Sequence, residues 1–225
     1  MPLHVTPLPR REFLRRSLFA GAGLVTLSAL RAEERKVDSD RWALFSDTHI
    51  AGDPTTVARE VHLADHLRAA IAAVQALPVA PAGLLVNGDC ALDHGLAEDY
   101  GTFSNLFEPL VQSRLPLHLL LGNHDDRDVF WTTLKETRPA TPVVASKHVS
   151  IVEAARVNWF LLDSLEVTKQ TPGSLGDEQR AWLTKALDQR AEKPALVMVH
   201  HNPVSAEAGK KSGLTATAEL LAILL

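Results

Sequence analysis

Four short apolar runs punctuate the chain: WALFS at 42–46, GLLVN at 83–87, LHLLL at 117–121 and ALVMV at 195–199. A strand buried on both faces loses the apolar–polar alternation and reads as such a continuous run. The segments between them are longer and carry apolar residues at helical spacing, roughly 57–76, 97–113 and 127–137. A further helix is expected at 177–190, with Asp177 as N-cap and Glu178 in its first turn, although Arg180 stands where a capping box takes Glu or Gln. Two more strands are expected at 143–153 and 157–163, and Ala218, Leu221, Leu224 and Leu225 recur as one face of an amphipathic helix. Strands alternating with helices imply a layered α/β fold.

In such folds ligands gather beyond the carboxyl ends of the strands. Each of the four runs ends there in polar chemistry: Asp47-Thr48-His49, Gly88-Asp89, Gly122-Asn123-His124-Asp125 and His200-His201. Carboxylate, imidazole and amide donors together suit borderline ions such as Zn, Fe, Mn or Co, and not an all-oxygen calcium site. In an extended chain, residues two apart point the same way, so Asp47 and His49 can reach one ion. A carboxylate such as Asp89 can offer one oxygen to each of two ions. Two ions about 3.5–4 Å apart clamp a phosphoryl group and activate water. The glycines beside Asp89 and Asn123 let the backbone turn sharply under such a site.

Composition narrows the setting. The 225 residues, 46% apolar and 22% charged, suit one sizeable domain starting near Arg41. The net charge of −4 conceals an uneven distribution, with five arginines and one acid in residues 1–32 and a more acidic remainder. An acidic body is a poor partner for a nucleic-acid backbone, but a bound metal can reverse the local field for a small phosphorylated substrate. The single cysteine, Cys90, rules out an internal disulfide, and its apolar neighbours suggest packing. Residues 1–32 combine a basic stretch with an apolar run, Ser17 to Leu30, shorter than a bilayer requires. The stretch Arg10-Arg11-Glu12-Phe13-Leu14-Arg15 resembles a twin-arginine export signal. That resemblance implies engagement of the export machinery and a periplasmic or extracellular destination, with a membrane anchor if the segment is retained.

The ordered set "DTH", "NGD", "GNHD" and "HHNP" resembles the calcineurin-like metallophosphoesterase superfamily, over roughly residues 41–225. The resemblance implies an α-β-β-α sandwich and two divalent or trivalent ions, Fe, Mn, Zn or Co. It also implies hydrolysis of phosphomonoesters or phosphodiesters by metal-activated hydroxide. Residue by residue, it implies that Asp47 and His49 bind the first ion, Asp89 bridges, and Asn123 and His200 bind the second. It places His124 beside the substrate, as phosphoryl-stabilising group or proton donor. An acid three residues after the G-D aspartate supports that histidine in much of the family; here the position is Leu92, which leaves Asp93 or Asp125 as substitutes. Arg127 is a candidate for a phosphate oxygen or for an ion pair, and His201 for lining the pocket. The family's last block, G-H-x-H, has no counterpart after His201. The expectation is therefore a C-terminally incomplete domain, with an impaired binding module as the alternative to an active hydrolase. His62 and His66 read as a solvated helix face, His118 as a core residue, and His94 as a loop residue for which lining the pocket is the minority alternative.

Overall fold

The computed structural model describes residues 36–137, 141–203 and 212–225. The twin-arginine-type segment lies outside the described residues. The chain divides into Met1–Lys36 and Val37–Leu225, and every element below belongs to the second unit. In chain order these are β1 (Val37–Phe45), β2 (Val57–Ala58), β3 (Val61–His62), α1 (Leu63–Gln75), β4 (Ala80–Asn87), α2 (Ala97–Gln112) and β5 (Leu117–Leu120). They continue with α3 (Arg127–Thr133), β6 (Ser150–Glu153), β7 (Asn158–Leu161), α4 (Gly176–Asp188), β8 (Ala195–Met198) and α5 (Thr217–Leu224). None of the helices among the described residues is long and apolar enough to cross a membrane.

All four apolar runs are strands. β1, β4 and β5 form one parallel sheet in that order. The second sheet has the order β6-β7-β8, with β7 antiparallel to β6 and parallel to β8. Register carries the functional consequence. Phe45 pairs with Val86 and Asn87 with Leu120, so the carboxyl ends of β1, β4 and β5 emerge at one edge. In the second sheet Leu161 pairs with Met198, which brings Asp163 and His200 out together.

Successive strand residues face opposite layers, as the pleat requires. Leu84 and Val86 of β4 and Leu119 of β5 pack on α1, α2 and α3 through Leu67, Ile71, Phe103, Phe107 and Phe130. Leu85 and Leu120, one position along, turn the other way and meet Leu161, Trp159 and Met198 of the second sheet. Phe160 of β7 packs outward on Leu183 of α4 and Leu220 of α5. Three apolar interfaces between four layers make the α-β-β-α sandwich expected from the sequence. Each buried Leu or Phe contributes on the order of 1.5–3 kcal/mol.

Three details depart from expectation, the first being that α4 begins at Gly176 with Leu175 as its N-cap, which places Asp177 in the first turn. The helix expected from 57 begins at Leu63, because Arg59 (φ 51°) and Glu60 (φ 65°) are both left-handed and fold residues 57–62 into a hairpin. Two successive positive φ values are what a two-residue hairpin turn needs. The strand expected over 143–153 is confined to Ser150–Glu153, with Val143 exposed and outside the sheet.

Candidate metal centre

The tips of β1 and β4 are sewn together through the main chain. The Asp47 amide donates to Gly88 O (3.1 Å), that of His49 to Asp89 O (3.0 Å), and that of Ile50 to Cys90 O (2.9 Å). These bonds hold Asp47 (φ 53°), His49 (φ 47°) and Asp89 (φ 50°) in the left-handed region. For a residue with a side chain that conformation costs roughly 1–3 kcal/mol, and it persists only where the surroundings enforce it. The proximity of Asp47 and His49 therefore comes from a tight turn and not from the strand alternation that the sequence suggested.

Two imidazoles converge on one carboxylate. His49 Nδ1–H donates to the Leu92 carbonyl (3.2 Å) and His200 Nδ1–H to the Asn87 carbonyl (2.7 Å). Each ring is thereby fixed in the tautomer that leaves Nε2 free for an ion. The two Nε2 atoms approach Asp89 Oδ2 at 3.6 Å and 3.5 Å. Those separations are too long for good hydrogen bonds. They suit donors sharing an ion, because two ligands each about 2.0–2.1 Å from a tetrahedral ion stand roughly 3.3 Å apart. Asp89 is a member of two groups of converging donors, His49–Asp89–His124 and Asp47–Asp89–His200, each with all donor atoms within 4.8 Å of one another. Geometry thus groups Asp47 with His200, although its Oδ1 also lies 3.9 Å from His49 Nε2. The donor set fits a borderline divalent ion. Asn123 follows Gly122 at the β5 tip, and its main-chain carbonyl accepts from the Lys169 amide (2.6 Å).

Charge and burial oppose each other here. Burial alone would raise the Asp89 carboxyl, but the close approach and charge of His200, and then the amide hydrogen bond and charge of His124, bring it below the ordinary range. Burial alone would lower His200, and the Asp89 carboxylate overrides it, raising His200 to about 9. An ion binding here must displace that proton.

His124 stands edge-on to His49, ring centres 4.8 Å apart, and burial lowers its pKa. Its Nδ1–H donates to the same Leu92 carbonyl (3.0 Å), while Asp93 Oδ1 is 3.5 Å away. The residue that replaces the usual acid therefore serves through its main chain, with Asp93 alongside. Asp125 faces the interior and accepts from the amides of Gly122 (2.8 Å), Ala91 (3.0 Å) and Cys90 (3.2 Å) and from Tyr100 OH (3.2 Å). Arg127 is engaged away from the converging donors, with Nε 2.7 Å from Asp163 and Nη2 on the Leu165 carbonyl. Of the remaining residues that the sequence raised, Cys90 is buried with its thiol pushed up by desolvation, His94 pairs with Asp93 at the surface, and His62 and His66 are exposed.

His201 is buried against Ser164 Oγ (2.8 Å), and its Nε2 has no partner among the described residues. Burial, and then the charge of His200, lower it to about 4, so it is neutral in the fold. The unfolded chain binds the proton near pH 6.5. The penalty is therefore absent above that pH and grows as pH falls from about 6.5 toward 4, to at most about 3 kcal/mol. His201→Asn is expected to flatten that part of the acid loss of Tm in the metal-free protein; parallel pH–Tm curves for the two proteins would contradict it.

The glycines of these tips are sterically required. A Cβ on Gly88 (φ 76°) would stand 2.6 Å from Gly122 N and 2.8 Å from His200 Nδ1. A Cβ on Gly122 would land on Asp89 Oδ1. Gly122→Ala is expected to weaken metal binding about 10–100-fold, the range seen when a ligand's supporting contacts are lost. Calorimetric metal titration checks this, and unchanged affinity would contradict it.

Leu92, Asn87 and Lys169 were not legible as site residues. The first two act through main-chain carbonyls, and Lys169 lies in a loop with no motif around it.

The chain is similar to known proteins. The chain is 28% identical over 160 residues to a probable glycerophosphodiester phosphodiesterase GpdQ of Arcobacter nitrofigilis, covering 71% of this chain and 56% of that protein. It is 31% identical over 121 residues to the 3',5'-cyclic adenosine monophosphate phosphodiesterase CpdA of Pseudomonas aeruginosa, covering 54% and 40%. The chain thus spans about half the length of the curated relatives it matches. The crystal structure of a dimetal phosphatase from Danio rerio has the same fold, with a TM-score of 0.62 at 14% identity over 81% of this chain and 76% of that one. The model of the calcineurin-like phosphoesterase family matches residues 41–224, from within β1 to the end of α5, and the chain belongs to that family.

Proposed function

We propose that this protein hydrolyses small phosphodiesters at a dinuclear metal centre. The observation that carries the reading is the Asp89 carboxylate, on which His49 and His200 converge from the tips of the two sheets. By the family pattern Asp47, His49 and Asp89 would hold one ion and Asp89, Asn123 and His200 the other, although the donor atoms here draw Asp47 toward His200; Fe, Mn, Zn or Co is compatible with these donors. When bound, the ions supply Lewis acidity to the phosphoryl oxygens and lower the pKa of water. The relatives, a probable glycerophosphodiester phosphodiesterase and a cyclic-AMP phosphodiesterase, support a diester over a monoester.

The chain's own residues do the rest. The left-handed turns at Asp47, His49 and Asp89 fix the donors before substrate arrives. His124 has its Nδ1–H committed to Leu92 O, so a proton exchanged with the leaving alcohol is carried on Nε2. The full chain, loaded in turn with Mn²⁺, Co²⁺ or Zn²⁺, is expected to hydrolyse bis(4-nitrophenyl) phosphate at least about ten-fold faster than 4-nitrophenyl phosphate, and chelation should stop it. Faster monoester turnover would contradict the substrate class. Bound metal without any turnover would favour a binding module. We read residues 1–32 as an export address; Arg10→Lys with Arg11→Lys is expected to leave the protein in the cytoplasm, and undiminished export would overturn that.

A further inference from the structure

Residues 163–175 leave β7 and reach the tip loops of the first sheet before α4 begins. The root of this strap is tied down. Arg127 binds Asp163, and the largely buried Lys147 ammonium donates to the carbonyls of Leu165 (2.7 Å) and Ser174 (2.9 Å). At its crest, Thr168 Oγ1 donates to Asp125 O (2.9 Å), and the Lys169 amide donates to Asn123 O (2.6 Å). Lys169 is left-handed (φ 66°), a conformation that a residue with a side chain adopts only when held there. Its ammonium pairs with Asp93. The Asp93 carboxylate also meets His94 Nδ1 (2.6 Å) and lies 3.5 Å from His124 Nδ1.

One residue therefore grips both flanks of His124. Its main chain holds the carbonyl of the preceding residue, Asn123, and its side chain holds the acid beside the ring. Both members of the Lys169–Asp93 pair are substantially exposed, and pairs of that kind add little to stability. The geometric effect is larger. With Leu92 where an acid is usual, the carboxylate next to His124 comes from Asp93, and Asp93 is held by a strap from the other sheet.

We propose that Lys169 is a positioning residue, which clamps Asp93 and the Asn123 carbonyl so that His124 presents Nε2 to the leaving group. The catalytic half of this rests on the reading of His124 as proton donor; the geometric half stands without it. Lys169→Met and Lys169→Arg are compared with the parent in the full, metal-loaded chain, using one diester with a 4-nitrophenolate leaving group and one with an alkyl alcohol. A poor leaving group needs the proton, so Lys169→Met is expected to lower kcat about ten-fold for the alkyl diester and less than about two-fold for the nitrophenyl diester. KM and metal content should be unchanged, and Lys169→Arg should restore most of the loss. Equal losses on both substrates, or a rise in KM alone, would overturn the proposal. Independently of activity, ¹⁵N-detected exchange in the metal-free chain is expected to keep the His124 proton on Nδ1, bonded to the Leu92 carbonyl, in both proteins, and to show its solvent exchange speeded at least about five-fold in Lys169→Met, where Asp93 is no longer held over that edge of the ring. An unchanged exchange rate would overturn the clamp. If the parent hydrolyses neither diester, the proposed function fails while the exchange rates still decide the clamp.

Discussion

Asp89→Asn is expected to lower phosphodiester hydrolysis by on the order of 10³-fold or more, with the chain still folded. Asp89 is 3% exposed and stands where the Nε2 atoms of His49 and His200 meet, while its other oxygen accepts the His124 amide (2.8 Å). Asparagine keeps the shape and that last hydrogen bond. It removes the charge and replaces one coordinating oxygen by an NH₂ group that no cation accepts. The change also reaches His200. The Asp89 carboxylate holds that imidazole at about 9 against the pull of burial, so without it burial drives the pKa of His200 down. Both groups of donors include Asp89, so they fail together. Steady-state kinetics and elemental analysis of the purified variant check this. A loss confined to about ten-fold, or full metal content, would mean that Asp89 is not the shared ligand.

Asp125→Asn is expected to destabilise the fold by about 3–5 kcal/mol, the largest stability effect at any site residue. Three amide N–H groups and one phenol converge on this fully buried carboxylate. An asparagine offers one oxygen and turns its NH₂ toward donors. At least two buried donors then lose their acceptor, at about 1–3 kcal/mol each, and one faces another donor. For a domain of this size that lowers Tm by roughly 10 °C. Tyr100→Phe removes one of the four donors and the acceptor of the Asp126 amide (2.8 Å), and should cost about 1–3 kcal/mol. The amides belong to Gly122, Cys90 and Ala91, which border Asp89 and Asn123, so metal affinity should fall with stability. Denaturant unfolding of both variants tests this; equal stability of Asp125→Asn and the parent would contradict it.

Asp125 also shows where sequence reasoning stops. Adjacent to His124 in "GNHD", it was an equal candidate with Asp93 for supporting that histidine. A side chain's partner depends on which way the tip loop turns, and here the loop turns Asp125 inward. Arg127 is similar: its partner Asp163 is 36 residues downstream, in the loop just past β7 of the other sheet. The four strands were legible because their runs are apolar throughout, as β4, buried on both faces, must be, although β1 and β8 leave Leu44 and Leu196 exposed; the candidate ligands were legible because they stand at those strands' ends. The left-handed turns were not, since Asp47, His49 and Asp89 adopt them without glycine under pressure from main-chain bonds between loops. The hairpin at residues 57–62 was missed for the same reason, because Arg59 and Glu60 carry no turn signature. The orienting role of Leu92 lies in a carbonyl that every residue type possesses.

Four strand tips are proposed to build one dinuclear centre around Asp89. Titration of the metal-free chain with Co²⁺, followed by its visible ligand-field absorption and by proton release, tests it most directly. The expected result is two equivalents bound, with protons released as His200 gives up its own, and no comparable binding by Asp89→Asn. A folded parent that binds no Co²⁺, or a variant that binds as many ions as the parent, would contradict it.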